Sequence, residues 1–205
     1  MAWEPDYTTA VDLAAYLRID DNDDDLQLAT AATSASRAID RFTCRQFGLI
    51  DAPEARYYTA RWSRSRGMWL VAIDDLMTET GLEVATEQYA DGIFVAVTAP
   101  VLRPRNALQK GRPWTELAIP NESAVGPLFG RDGGVRVTGR WGWTSVPVTV
   151  EQAALLQGSR VFARRDAPFG VAGSPEAGSE LRLLAKVDPD VAVMLNSYRR
   201  RVWVA

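Results

Sequence analysis

The stretch Val135-Arg-Val-Thr-Gly-Arg-Trp-Gly-Trp-Thr-Ser-Val-Pro147, read VRVTGRWGWTSVP, decides how this chain is read. A strand-like run ends in two tryptophans that flank one glycine, and a proline follows. Two indoles are costly to leave in water. They form a ligand platform, a nucleic-acid stacking surface, or a structural corner between a sheet and a helix. The residues favour the corner. Gly142 lets the backbone turn or come close to another segment. Trp141 and Trp143 then bury roughly 150–250 Å² each against neighbouring helices. Pro147 and Thr149 launch the next helix, with Thr149 as its cap.

Downstream of this corner, VEQAALLQGSRVFARR (150–165) is mostly good helix former, interrupted by Gly158. Pro168, Gly170, Gly173, Pro175 and Gly178 predict a loop. A last helix begins near Asp188-Pro189. Val191, Met194, Leu195, Tyr198 and Val202 form its apolar stripe, and Arg199, Arg200 and Arg201 lie largely off it.

Upstream, short β-branched and aromatic runs predict strands at 56–62, 68–73, 81–87, 92–98, 116–120 and 135–141. The span 99–114, with three prolines and a glycine, reads as loop. Before these runs come two helices. Thr9 and Asp12 resemble a capping box for a helix over 9–18. Asp20-Asp-Asn-Asp-Asp-Asp25 is a solvated loop, and Asp24 or Asp25 caps the second helix. Leu28, Ala31, Ala32, Ala35, Ile39 and Phe42 form one stripe of that helix, which is about 18 residues long.

The order is therefore helix–helix, strands, helix–helix. It predicts an α+β fold: a bundle of about four helices from the two chain ends (1–50 and 147–205), with a β-rich insertion at 56–146, in a single domain.

The totals narrow the function. The chain has 205 residues, 47% hydrophobic and 24% charged, as a soluble globular protein has. No apolar run approaches the 18 or so residues of a membrane span. The N-terminus lacks the basic-then-apolar order of a secretory signal. One cysteine, Cys44, excludes an intrachain disulfide and suits a reducing cytoplasm; it is expected to be a buried structural thiol. The absence of histidine excludes Ser-His-Asp and Cys-His mechanisms. Net charge is −3, with eleven acidic and four basic residues in 1–55, hence −7 there and +4 in 56–205. A net-acidic chain is poorly suited to gripping phosphates. Opposite charge at the two ends suits head-to-tail contact between copies.

Candidate chemical sites are weak. The acidic run fails the calcium-loop pattern, with Asp25 and Ala31 where glycine and glutamate belong. Asp74-Asp75 reads as a turn where a strand ends, and Glu83 with Glu87 has no fixed partner. The glycines at 130, 133, 134 and 139 lack a P-loop lysine, and Asp132-Gly133 favours a hairpin turn. Arg61-Trp62-Ser-Arg-Ser-Arg66 and Tyr198-Arg-Arg-Arg-Val-Trp203 suit a protein interface, or stacking on bases.

Taken together, ATAATSASRAIDRFTCRQF (29–47), PRNALQKGRPWTEL (104–117), the 135–173 series GRWGW…P…A…RR…PFGV and DPDVAVMLNSYRRR (188–201) resemble one family. It is the head-to-tail connector, or adaptor, proteins of long-tailed bacteriophages, particularly those infecting actinobacteria. The resemblance implies no catalysis, metal or cofactor. It implies a ring of identical copies, usually twelve, beneath a portal protein. The ring joins the head to a stopper or tail-completion protein, and DNA passes through without specific binding. The helices build the ring body and the β-rich part reaches toward the tail. The location implied is the virion neck, after synthesis in the host cytoplasm, with no membrane. Portal or subunit contact is implied for Tyr198, Arg199, Arg200, Arg201 and Trp203, and for Arg164, Arg165 and Phe169. The indoles of Trp141 and Trp143 are then also available to the next subunit. Two alternatives stand beside this reading: a carboxylate-dependent, metal-assisted hydrolase, and another neck protein such as a stopper or tail terminator.

Overall fold

The computed structural model describes residues 4–89, 91–121, 127, 131–165, 171–172, 181–182 and 187–200. The chain divides into two compact units, one of Met1–Phe47 with Val146–Ala205, the other of Gly48–Ser145.

In the first unit, α1 (Ala10–Leu17) starts where Thr9 and Asp12 exchange the two bonds of a capping box. The next helix, α2 (Asp25–Thr43), buries the expected stripe of Leu28, Ala31, Ala32, Ala35 and Ile39. Asp24 stands at its N-cap position without a side-chain cap bond. The third, α3 (Val148–Ala163), runs unbroken through Gly158. A Cβ there would lie 3.3 Å from both methyls of Leu13, so glycine gives α1 room to seat against α3. Leu13, Leu28 and Ala31 form the core between these helices, joined by Leu17, Leu155 and Phe162. The last, α4 (Pro189–Leu195), is capped by the Asp188 carboxylate and packs on α3.

The second unit holds two four-stranded antiparallel sheets. Strands β1 (Glu54–Tyr58), β8 (Val135–Gly139), β4 (Glu83–Glu87) and β5 (Phe94–Ala96) form one, in that order. Strands β2 (Ala60–Ser63), β3 (Met68–Leu76), β7 (Trp114–Pro120) and β6 (Val101–Arg103) form the other. Val71, Ile73, Leu76, Leu117, Ile119, Val135 and Val137 are fully buried.

This corrects the expected fold class. Among the described residues the chain is a mixed α/β protein of four helices and two four-stranded sheets, with a β-rich body. It is not a helical bundle carrying a β-rich appendage. The apolar runs of 54–143 pair into two sheets within one compact unit and bury side chains of their own. Of the helices, α1 has eight residues and α4 only seven.

Smaller corrections have local causes. The run 56–62 is two strands in different sheets, because Thr59 leaves the ladder to donate to Asp132 (2.6 Å) and accept from the Gly133 N–H (3.2 Å). Asp132-Gly133 does turn, with Gly133 at φ +67°, yet the strands on either side of it, β7 and β8, belong to different sheets. Asp74-Asp75 lies inside β3 rather than in a turn. The span read as loop at 99–114 contains β6 and a helical turn at Leu108–Lys110. Pro147, not Thr149, holds the N-cap position of α3. Cys44 is exposed at the left-handed C-cap of α2, so it is not a buried thiol. Strand β9 (Val171–Ala172) lies in the stretch expected to be loop and pairs with β10 (Leu181–Arg182) beyond it. The remaining residues of that expected loop, 168–170 and 173–178, lie outside the described residues.

The last expected stripe stops early. After a single turn at Asn196–Tyr198 the backbone of Arg199 is extended. The Arg200 N–H then donates to the Thr43 carbonyl (2.8 Å) at the end of α2 instead of continuing the helix.

Candidate functional site

Three places bring together the residues that the sequence singles out. The first is the tryptophan corner. After β8 the backbone of Gly142 takes φ +110° and donates to the Asp75 carbonyl (2.7 Å). Trp143 N–H donates to the Gly48 carbonyl (2.7 Å), and Ile50 N–H donates to the Trp141 carbonyl (3.1 Å). Both indoles are 2% exposed. Trp141 Nε1 donates to the Glu54 carbonyl (2.8 Å), and Trp143 Nε1 to Asp75 Oδ2 (2.9 Å). These partners all belong to the β unit, so the structure ties the corner to strands where helices were expected. Pro147 then precedes α3 directly.

Around Trp141 sits a polar cluster. The Arg56 guanidinium lies 5.0 Å over the indole and donates to Asp74 Oδ2 (2.8 Å), which also accepts from Tyr58 Oη (2.9 Å). Burial pushes the Tyr58 phenol up, and the Asp74 charge adds to it. Asp74 and Asp75 thus serve different partners, and their carboxylates are not a converging pair. Glu87 is likewise occupied: Arg131 donates to it through two nitrogens (2.9 and 3.3 Å) and Gly92 N–H through a third bond (2.7 Å). The Arg131 hydrogen bonds hold its carboxyl below the usual range, with Gly92 assisting.

The β unit also carries a groove of about 1130 Å³, lined in part by residues of β4, β5 and β8. Glu79, Glu83, Arg105, Arg136 and Trp114 line it. Of the paired carboxylates that the sequence offers a hydrolase, Glu83 lines this groove, whereas Glu87 is held by Arg131. Among the described residues no group of three or more Cys, Asp or Glu side chains is arranged to hold a metal ion.

The second place is the C-terminal end of α2, where both ends of the chain are fastened. Tyr7, 4% exposed, donates through its hydroxyl to Asp40 Oδ1 and accepts there from the Phe47 N–H (2.9 Å). Its own N–H donates to Ser36 Oγ (2.9 Å). Arg37 pairs with Glu4, Asp6 and Asp40. Burial raises the Tyr7 phenol, and its bond to Asp40 raises it further. Burial raises Asp40 as well, against the opposing pull of Tyr7 and Arg37. Phe47 meets Tyr7 edge-on at 5.6 Å and Tyr198 at 5.7 Å. Arg45 Nε donates to the Tyr198 carbonyl (2.7 Å), and Arg199 lies 5.4 Å over the Phe42 ring.

Of the expected contact residues, Tyr198, Arg199 and Arg200 therefore gather on the end of α2. Arg164 and Arg165 lie at the far end of α3. Arg165 sits 4.2 Å over Phe162 and pairs with Asp24, so one charge expected to reach another copy is engaged within its own chain. Phe169, Arg201 and Trp203 lie outside the described residues. Sequence reading missed the Tyr7–Asp40–Phe47 lock, whose members are 33 and 40 residues apart and follow no periodic pattern.

A measurable consequence arises from Tyr7. Its phenol stays protonated in the folded chain above pH 10, where the unfolded chain gives the proton up. Its contribution is complete below about pH 10 and is lost as pH rises further. We expect Tyr7→Phe to cost about 1–3 kcal/mol at neutral pH. Its unfolding free energy should also fall less steeply than that of the parent between pH 10 and 11, as urea titrations would show.

The third place is a smaller apolar groove of about 270 Å³ at the N-terminal end of α2. Leu26, Thr30, Val161, Phe162 and Arg165 line it, and Leu26 is 77% exposed.

No family model matches the chain, and no curated protein is matched.

Proposed function

We propose that the chain is a structural head-to-tail connector of a virion. Identical copies, twelve by the family resemblance, close into a ring beneath a portal. The ring carries a stopper or tail-completion protein on its other side and leaves a channel for DNA, with no bond made or broken. The helical unit makes the contacts between copies.

The observation that carries this reading is apolar surface left uncovered on the helical unit. Val11 is 76% exposed, Leu26 77%, Val148 66% and Val193 78%. Leu26 opens on the apolar groove lined by Val161 and Phe162, and an uncovered apolar groove is surface that another protein can cover. The polar clusters, by contrast, are engaged in holding the chain together: Tyr7 with Asp40, Asp74 with Arg56 and Tyr58, Asp75 with Trp143. Tyr198, Arg199 and Arg200, among the residues expected to meet a partner, are fastened together on the end of α2.

The test is to mix the purified chain with portal rings and image the product. A collar coaxial with the portal is expected. A chain that remains single and leaves the portal bare would refute the reading.

A further inference from the structure

We propose that the C-terminal segment of one copy, Arg201-Val-Trp-Val-Ala205, docks in the groove at the N-terminal end of α2 of the next copy. This names the subunit contact of the ring and rests on that reading.

Two observations select the occupant. One is charge. The groove sits beside the loop of Asp20, Asp21, Asp23, Asp24 and Asp25, of which Asp24 pairs with Arg165. Asp20, Asp21, Asp23 and Asp25 are exposed and make no ion pair among the described residues. A fitting partner has an apolar anchor preceded by cations. Residues 199–204 have that pattern: Arg199, Arg200 and Arg201, then Val202, Trp203 and Val204. An indole suits the apolar slot between Leu26, Val161 and Phe162.

The other is reach. Arg200 is held at the opposite end of α2 through its bond to the Thr43 carbonyl. Leu26 and Thr43 are both in this helix, and at 1.5 Å per residue they are about 26 Å apart along its axis. The chain from Arg200 to Trp203 spans at most about 11 Å fully extended. The segment therefore cannot enter its own groove, and the complementary surfaces meet only between copies. Such a contact is heterologous. Repeated with a rotation that closes, it makes a ring.

The probe is a labelled synthetic peptide of residues 198–205, titrated by fluorescence anisotropy into the full chain at a concentration where the chain sediments as a monomer. Binding is expected. It should weaken at least about tenfold with Leu26→Asp, and also when Asp20, Asp21, Asp23 and Asp25 are all changed to Asn. Raising salt should weaken it as well. Leu26 is largely exposed, so its variant is expected to keep the helical circular dichroism of the parent. Absence of binding, or binding that Leu26→Asp leaves unchanged, overturns the proposal, as does a peptide that binds isolated portal rings and not this chain. In parallel, Leu26→Asp is mixed with portal rings. A collar that still forms while the peptide does not bind removes this contact and keeps the connector reading. Peptide binding by a chain that never joins a portal keeps the contact and removes the connector reading.

Discussion

Gly142→Ala is expected to abolish folding of the β unit. A Cβ at this position would stand 2.0 Å from the Gly48 carbonyl oxygen and 3.1 Å from its carbon. Both are backbone atoms held in place, because the same carbonyl accepts from Trp143 N–H at 2.7 Å. The left-handed φ adds about 1–3 kcal/mol for any residue with a side chain. Relief of the overlap requires parting the Leu49–Gly142 bridge, and with it the bonds on either side. The total should exceed about 4 kcal/mol, a large share of the 5–15 kcal/mol that holds a domain together. Gly67→Ala and Gly92→Ala separate the two causes. Both glycines have positive φ, with no atom within 4 Å of the added carbon. These controls should lose only about 1 kcal/mol. Denaturant titration followed by tryptophan fluorescence reads all three. A folded Gly142→Ala with a midpoint near the controls would show that the Gly48–Trp143 contact is not rigid.

Trp143→Ala should cost about 3–5 kcal/mol, the range for emptying a buried indole site. The indole carries two contributions. Its ring is 2% exposed, and its Nε1 donates to the carboxylate of Asp75, itself 6% exposed. Trp143→Phe keeps most of the ring and withdraws the donor. It should cost about 1–3 kcal/mol, the penalty for disturbing a hydrogen bond to a buried charge. Asp75→Asn, which keeps an acceptor at the same place, should cost less than Trp143→Ala. If all three variants assemble and unfold like the parent while losing affinity for a small molecule, the corner is a ligand platform and not a structural element.

These residues also show what sequence can and cannot reveal. At Trp141-Gly142-Trp143 the burial of both indoles and the turn at the glycine were legible, because two indoles are costly to leave in water and glycine accepts a positive φ. The partners were not legible. Asp75 lies 68 residues from Trp143, and Asp74-Asp75 looks locally like the end of a strand. Asp74 and Asp75 extend β3 beyond its pairing with β2 and β7, which ends at Ala72, and the Gly142 N–H holds the Asp75 carbonyl there. The α2 stripe could be read because its period is local and its length sufficient. The fold class was misjudged for the opposite reason. Short apolar runs announce strands but not which sheet each joins, and Tyr58 and Ala60, two residues apart, belong to different sheets. The expected last helix failed at Arg199 and Arg200, where a long-range bond to Thr43 wins over continued local periodicity. Arg165 meets a loop-borne Asp24 within the same chain, a pairing that no local pattern announces. The groove beside Leu26 has no linear signature, since α2 and α3 line it from positions more than a hundred residues apart.

The most direct measurement is electron cryomicroscopy of purified particles in which this chain bears a small N-terminal tag. Tag density is expected as a ring between capsid and tail, at one copy per subunit of the collar. Particles with a complete neck and no tag, from cells in which the tagged chain stays in the cytosol, would contradict the connector reading.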